Sequence, residues 1–119
     1  MRNDALSIQS MEFAVSVIRL VKCLKEQQDN YFKSDRQSGI SIGANIREAQ
    51  YEHGKSDFIA KLQIALKEAS ETDYWFELLL ETEYIDAETY QALERKCKSL
   101  RLMLISSLNT AKGNNDKLR

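Results

Sequence analysis

The clearest structural signal in the chain lies in two stretches, SIGANIREAQ at residues 41–50 and SDFIAKLQIALKEASE at residues 56–71. Side chains three and four residues apart share one face of a helix. In the first stretch Ile42, Ile46 and Ala49 form an apolar line at this spacing, and a polar line runs beside it. The polar line consists of Ser38, Ser41, Asn45, Glu48 and Glu52. We therefore predict an amphipathic helix over residues 32–52.

The second stretch opens a longer predicted helix, residues 56–81, whose apolar positions repeat with heptad spacing. Gly54 is expected to end the preceding helix, and Ser56 is expected to cap this one. The connection between the two helices is short, which predicts that they pack as antiparallel neighbours. The heptad positions are Phe58, Leu62, Ala65, Ala69, Thr72, Phe76 and Leu79.

Two further helices are predicted at residues 4–28 and 86–112, followed by a polar tail at 113–119. Either Asn3 or Asp4 is expected to cap the first, and Asp86 the last. The chain has no proline and only four glycines, the two residues that most disfavour a helix. Gly39 and Gly43 nevertheless lie inside the second helix, where they indicate the close approach of another backbone. Residues 1–119 are thus predicted to form one all-α domain, an antiparallel up-down-up-down four-helix bundle.

Helices one and three each carry a second apolar stripe, apart from the one that faces the bundle. A helix in an isolated bundle needs only one apolar face. We therefore predict that the second stripes are buried between the subunits of a homo-oligomer. The stripe on helix one consists of Ile8, Met11, Val15 and Ile18, and the stripe on helix three consists of Ile64, Trp75 and Leu78.

The charge of the chain is nearly balanced, with 17 basic and 18 acidic side chains and a net charge of -1. Nucleic-acid-binding domains are usually basic, so binding of this kind requires a local patch. The candidate patch is on helix two, where Lys33, Arg36 and Arg47 share one side and Tyr51 follows one turn later. These side chains either contact phosphate and base or form a solvated basic strip, and both interpretations stay open.

The sequence lacks the residues of the common catalytic and metal sites. Its one histidine, His53, cannot supply the paired Glu-x-x-His motifs of a di-metal bundle, nor does any serine have a histidine and an acid to activate it. Cys23 and Cys97 occupy apolar positions and are expected in the core as reduced thiols. No apolar run is long enough to cross a membrane. We predict a cytoplasmic protein that is not an enzyme and needs no cofactor or metal.

Ser41, Asn45 and Glu48 are the most distinctive polar residues of helix two. A lone carboxylate without a second titratable group at suitable spacing is a poor candidate for acid or base catalysis. Polar groups beside an apolar line more often satisfy hydrogen bonds to a neighbouring helix or subunit. We therefore interpret these three residues as structural.

Two motifs point to a known family. Ser-Ile-x-x-Asn-Ile-x-Glu occupies residues 41–48, and Phe-x-x-x-Leu-x-Ile-Ala occupies residues 58–65, with Glu-Ala-Ser-Glu following at 68–71. On these residues the chain resembles the four-helix-bundle proteins encoded in intervening sequences of bacterial large-subunit ribosomal RNA genes, often labelled as a small-subunit ribosomal protein. The resemblance covers nearly the whole chain. Where the usual pattern reads Asn-Ile-Ala-Glu-Gly, this chain has Asn45-Ile46-Arg47-Glu48-Ala49.

The resemblance implies a bundle that assembles as a ring-like homopentamer. Relatives include the accessory protein of diversity-generating retroelements, a basic pentamer that binds nucleic acid and a reverse transcriptase. By this resemblance we expect a non-enzymatic oligomer that associates with RNA or DNA. The alternative is a structural scaffold or a protein-interaction module that does not bind nucleic acid, which the balanced charge favours.

Overall fold

The computed structural model describes residues 4–25 and 33–113, with the side chains of 4–24 and 38–113. This part of the chain forms four α-helices and contains no strand, which confirms the all-α four-helix bundle. The helices are α1 (Ala5–Lys25), α2 (Lys33–Gln50), α3 (Lys55–Glu81) and α4 (Ala87–Ala111). Each helix packs against the helices next to it in the chain, and α4 returns to pack against α1.

The helix ends follow local capping chemistry. The Asp4 carboxylate accepts a hydrogen bond from the Ser7 amide at 2.8 Å, and the Asp86 carboxylate accepts one from the Thr89 amide at 2.8 Å. Both are side-chain N-caps, as the sequence predicted. The predicted end of helix one at residue 28 and start of helix two at residue 32 lie outside the described residues.

The start of α3 differs from the prediction. Ser56 was expected to cap this helix, but Gly54 holds the cap position with an extended backbone, φ -105° and ψ 146°, and no side-chain cap. The Gly54 carbonyl already accepts a hydrogen bond from the Phe58 amide at 3.0 Å. Because this bond closes the first turn, Lys55 and Ser56 lie inside the helix.

The core lies along the bundle axis and draws on all four helices. Phe13 of α1 meets Phe76 of α3 edge to face, with ring centroids 6.0 Å apart. Every predicted heptad position of α3 is buried except Phe58, which is partly buried. Cys97 is in this core, but Cys23 is exposed, so the expectation of a core position was wrong for Cys23. Cys23 lies on α1 just outside the apolar stripe that the neighbouring helices cover.

Helices α1 and α2 approach closely at the two helical glycines. A Cβ atom at Gly39 would lie 2.8 Å from a Val17 methyl group, closer than real Cβ contacts come. At Gly43 the nearest atoms belong to Ser10, at 3.7 Å, which is ordinary van der Waals contact. The predicted approach of another backbone is thus found only at Gly43, where the Ser10 carbonyl oxygen is among the nearest atoms, while at Gly39 the close neighbour is the Val17 side chain.

Candidate functional site

An apolar groove of about 630 Å³ lies between α1 and α2. Three of the four residues predicted as the outer stripe of helix one, Ile8, Met11 and Ile18, line it. Val15, the fourth, is exposed on the same helix. We call these four residues the α1 stripe. Their side chains are between 37% and 52% exposed, so within this single chain the stripe remains open to solvent.

Helix α2 supplies the opposite wall of the groove. Ile40, exposed at 38%, and Ala44 lie there, and the charged side chains of Glu12, Arg47 and Glu48 stand at the rim. Sequence periodicity missed Ile40 and Ala44 because it treats one helix at a time. The signal was present, since the two residues are four apart on the side of α2 away from Ile42 and Ile46.

The outer surface of α3 differs from the prediction at one residue. Ile64 and Leu78 are each 43% exposed, but Trp75 is only 3% exposed and packs beside Phe76, with ring centroids 5.6 Å apart. Trp75 was therefore wrongly placed on the outer stripe. The exposed aromatic is Tyr74, at 62%. We call Ile64, Tyr74 and Leu78 the α3 stripe.

Tyr74 shares a helical line with Ile64 and Leu78. Residues 64, 67, 71, 74 and 78 alternate steps of three and four, so they share one helical line. Two positions of the line, Lys67 and Glu71, are charged and exposed. Trp75 is rotated by about 100° from Tyr74, toward the covered side of the helix. Spacing alone does not separate the two aromatics, because at 100° per residue Trp75 lies about 20° and Tyr74 about 80° from the direction of Ile64. The helices packed against α3 decide which of the two is covered.

The polar line of α2 is occupied by contacts within the chain. The Asn45 side-chain amide donates to the Ser41 carbonyl at 2.9 Å and to the Ser41 hydroxyl at 3.0 Å. Glu48 forms a 2.7 Å ion pair with Lys61 of α3, and this hydrogen bond raises the pKa of Lys61. These partners agree with a structural interpretation, because they tie the line to its own helix and to α3.

The residues predicted to contact nucleic acid are only partly described. Arg47 is exposed on α2, and Tyr51, just after the helix, is 62% exposed. The side chains of Lys33 and Arg36 lie outside the described part. Arg47 and Tyr51 are thus accessible to a partner, and Arg47 also stands at the rim of the groove between α1 and α2.

A polar cluster lies between α3 and α4. The Arg101 guanidinium is 3.7 Å from a carboxylate oxygen of Asp73 and 3.7 Å from one of Glu94. Burial raises the pKa of Asp73, although Arg101 acts in the opposite direction. Burial also raises the pKa of the nearby Cys97 thiol to about 12, and this thiol donates to the Ala69 carbonyl at 3.3 Å. Cys97 therefore stays protonated near neutral pH, which makes it a poor nucleophile.

The described residues form neither a metal site nor a membrane span. Among them no three His, Cys, Asp or Glu side chains come together as metal ligands. None of the helices in the same residues is long and apolar enough to cross a membrane.

Comparison with known proteins agrees with this architecture. The family described as 23S rRNA-intervening sequence protein matches residues 5–106. The chain is similar to the crystal structure of a protein of unknown function from the S23 ribosomal protein family of Bacteroides thetaiotaomicron, with a TM-score of 0.84 and 45% sequence identity over 87% of this chain and 98% of that one. No curated protein matches the chain. Because the family match extends from the start of α1 into α4, the chain belongs to the 23S rRNA-intervening sequence protein family.

Proposed function

We propose that this protein is a non-enzymatic, self-assembling bundle whose assembly associates with nucleic acid. The observation that carries the proposal is the exposed α1 stripe. Four large apolar side chains on one helical line, continued across a groove by Ile40, form a surface of the kind that marks interaction sites. Burial of such a surface against another copy removes it from water and stabilises the assembly.

The number of copies follows from the family resemblance, which implies a pentamer. A stable contact between two copies buries about 800 Å² on each partner. The α1 and α3 stripes both support a contact of this kind, because each spans about half the length of its helix.

Nucleic-acid binding by this protein depends on the repetition of weak contacts around the assembly. One chain is nearly neutral, so a single copy offers few phosphate contacts. In an assembly Arg47 and Tyr51 recur once per copy, and several weak contacts to one long polyanion add up to useful affinity. The exposed phenol of Tyr51 adds a ring on which an unpaired base can stack.

The second candidate function is a scaffold or protein-interaction module. The observation that favours it is the net charge of -1, unusual for a protein that binds nucleic acid. In this function the groove between α1 and α2 holds a protein partner, and Arg47 at its rim contributes to specificity.

Binding to structured RNA and to single-stranded DNA, titrated against salt, separates the two functions. The nucleic-acid function requires an affinity that falls steeply as salt rises, because phosphate contacts release counterions. Arg47→Glu should weaken binding at least several-fold, whereas Arg95→Glu, the same charge change on exposed α4, should have a smaller effect. If the assembled protein does not bind at low salt, the scaffold function is favoured. Equal effects of the two variants would contradict a role for Arg47.

A further inference from the structure

We propose that the copies meet head to tail, with the α1 stripe of one copy packed against the α3 stripe of the next. This inference rests on the proposed self-assembly and specifies which surfaces form the contact. Both stripes are exposed in the single chain, and each copy offers one of each. A two-fold contact through one stripe alone would leave the other exposed, whereas a head-to-tail contact covers both.

The two stripes flank α2 from opposite sides. The α1 stripe lies beside α2, because Ile8, Met11 and Ile18 share a groove with Ile40 and Ala44. On α3, the ion pair with Glu48 shows that Lys61 faces α2. Ile64 follows Lys61 by three residues, which places it about 60° further around α3 toward solvent. The opposite side of α3 is covered by α4, through Asp73 with Arg101 and Ala69 with Cys97.

The direction of the helices fits this contact. In an up-down-up-down bundle α1 and α3 run the same way. Rotation about an axis parallel to the helices leaves the helix direction of every copy unchanged. Helix α1 of one copy therefore lies parallel to α3 of its neighbour. The α1 stripe and the helical line that carries the α3 stripe alternate steps of three and four residues, the spacing by which helices interlock side by side.

The order of charges also favours a parallel pair. Along α1, Glu12 precedes Arg19 beside the stripe, and along α3, Lys67 precedes Glu71 on the same helical line, between Ile64 and Tyr74. All four side chains are exposed, and none forms an ion pair among the described residues. A parallel contact brings Glu12 toward Lys67 and Arg19 toward Glu71. An antiparallel contact between the same stripes would oppose like charges, which disfavours it.

The position of the stripes suits a closed ring, the form that the family resemblance implies. Because both contact surfaces flank α2, each added copy turns the chain of contacts in the same direction, and a heterologous contact forms a ring where these rotations complete a full turn. Helix α2 then faces the ring axis, and α4 faces outward. The arrangement brings every copy of Arg47 and Tyr51 toward the inner side of the ring.

One variant on each stripe tests the pairing. Ile18→Glu blocks the α1 stripe and Leu78→Glu blocks the α3 stripe, and both positions are exposed enough that the bundle should still fold. Each variant alone should be monomeric, because every head-to-tail contact uses both stripes. An equimolar mixture should form a 1:1 dimer and nothing larger, since the intact α1 stripe of one variant meets the intact α3 stripe of the other. The readout is mass by light scattering, a doubling on mixing, measured well above the concentration at which the wild type is fully assembled, because the mixed pair has one contact where each copy in a ring has two.

Lys98→Glu on the exposed surface of α4 serves as the control and should assemble like the wild type, and circular dichroism verifies that each variant is helical. If either stripe variant alone remains a dimer, the contact is two-fold and the head-to-tail pairing is wrong. A mixture that stays monomeric while the wild type assembles also overturns the pairing. A monomeric wild type would instead refute the proposed self-assembly itself.

Discussion

At the scale of single residues, the contact between Gly39 and Val17 sets how closely α1 and α2 pack. Replacing a glycine inside a helix by alanine gains about 1 kcal/mol of helix propensity. At Gly39 the new methyl group would lie 2.8 Å from Val17, a buried side chain with little freedom to move. Overpacking of this kind costs about 1–3 kcal/mol. Gly39→Ala should therefore lower the free energy of unfolding or leave it unchanged, in spite of the gain in propensity.

Gly43→Ala is the matched control, because its new methyl group would meet Ser10 at an ordinary 3.7 Å. This variant should be stabilised by up to about 1 kcal/mol. Urea denaturation of both variants at one protein concentration gives the comparison. Equal stabilisation of the two would show that α1 and α2 are not in strict contact at Gly39.

Asp73 and Asp86 have pKa shifts of opposite sign, which predicts opposite dependences of stability on pH. Burial raises the pKa of Asp73 above its ordinary 3.8. Its contribution to stability is therefore fully present below pH 3.8 and is lost as the pH rises through the folded pKa. The hydrogen bonds from Thr89 lower the pKa of Asp86, so its contribution is present above pH 3.8 and is lost as the pH falls through the folded pKa.

Comparison of Asp73→Asn and Asp86→Asn with the wild type isolates these contributions. Relative to Asp73→Asn, the wild type should lose stability as the pH rises from 3.8, whereas relative to Asp86→Asn it should lose stability as the pH falls from 3.8. Thermal unfolding followed by circular dichroism across the acid range measures both differences. Slopes of the same sign would contradict the burial of the Asp73 carboxylate.

At the scale of whole helices, α3 separates a core aromatic from a surface aromatic at adjacent positions. Trp75 is 3% exposed and Tyr74 is 62% exposed. Trp75→Ala should destabilise the bundle by about 3–5 kcal/mol, because it leaves a large cavity. Tyr74→Ala should change the free energy of unfolding by no more than about 0.5 kcal/mol within one copy. Because Tyr74 belongs to the α3 stripe, Tyr74→Ala should also weaken the assembly.

Chemical denaturation and light scattering on the two variants measure stability and assembly separately. If Tyr74→Ala unfolds as easily as Trp75→Ala, the assignment of Tyr74 to the surface is contradicted. Assembly of Tyr74→Ala at wild-type concentrations would show that Tyr74 contributes little to the proposed contact.

These helices also show where sequence reasoning succeeds and where it fails. Three-and-four spacing was enough to predict the helices and the α3 core line from Leu62 to Leu79, and the capping preference of aspartate was enough to predict the Asp86 cap, because each of these features depends on residues of one helix. The prediction for Trp75 failed because this residue lies at the edge of the inner face of α3, where the neighbouring helix decides burial. The groove with Ile40 and Ala44 was missed for the same reason, since its two walls belong to different helices.

At the scale of the whole molecule, assembly and nucleic-acid binding should respond differently to salt. The stripes are mainly apolar, and burial of apolar surface does not weaken when charges are screened. We therefore expect the mass of the assembly to change little between low and high salt, while nucleic-acid affinity falls steeply. Light scattering and binding titrations over the same salt series provide the comparison. Dissociation of the assembly at high salt would indicate a contact held by charge instead.

The mass of the wild-type protein in solution is the most direct test of self-assembly, on which the proposed function depends. Light scattering at micromolar concentration should give several times the 13.7 kDa of one chain, with five copies as the expected number. A mass of 13.7 kDa at that concentration would contradict the account, because both apolar stripes would then remain exposed to water.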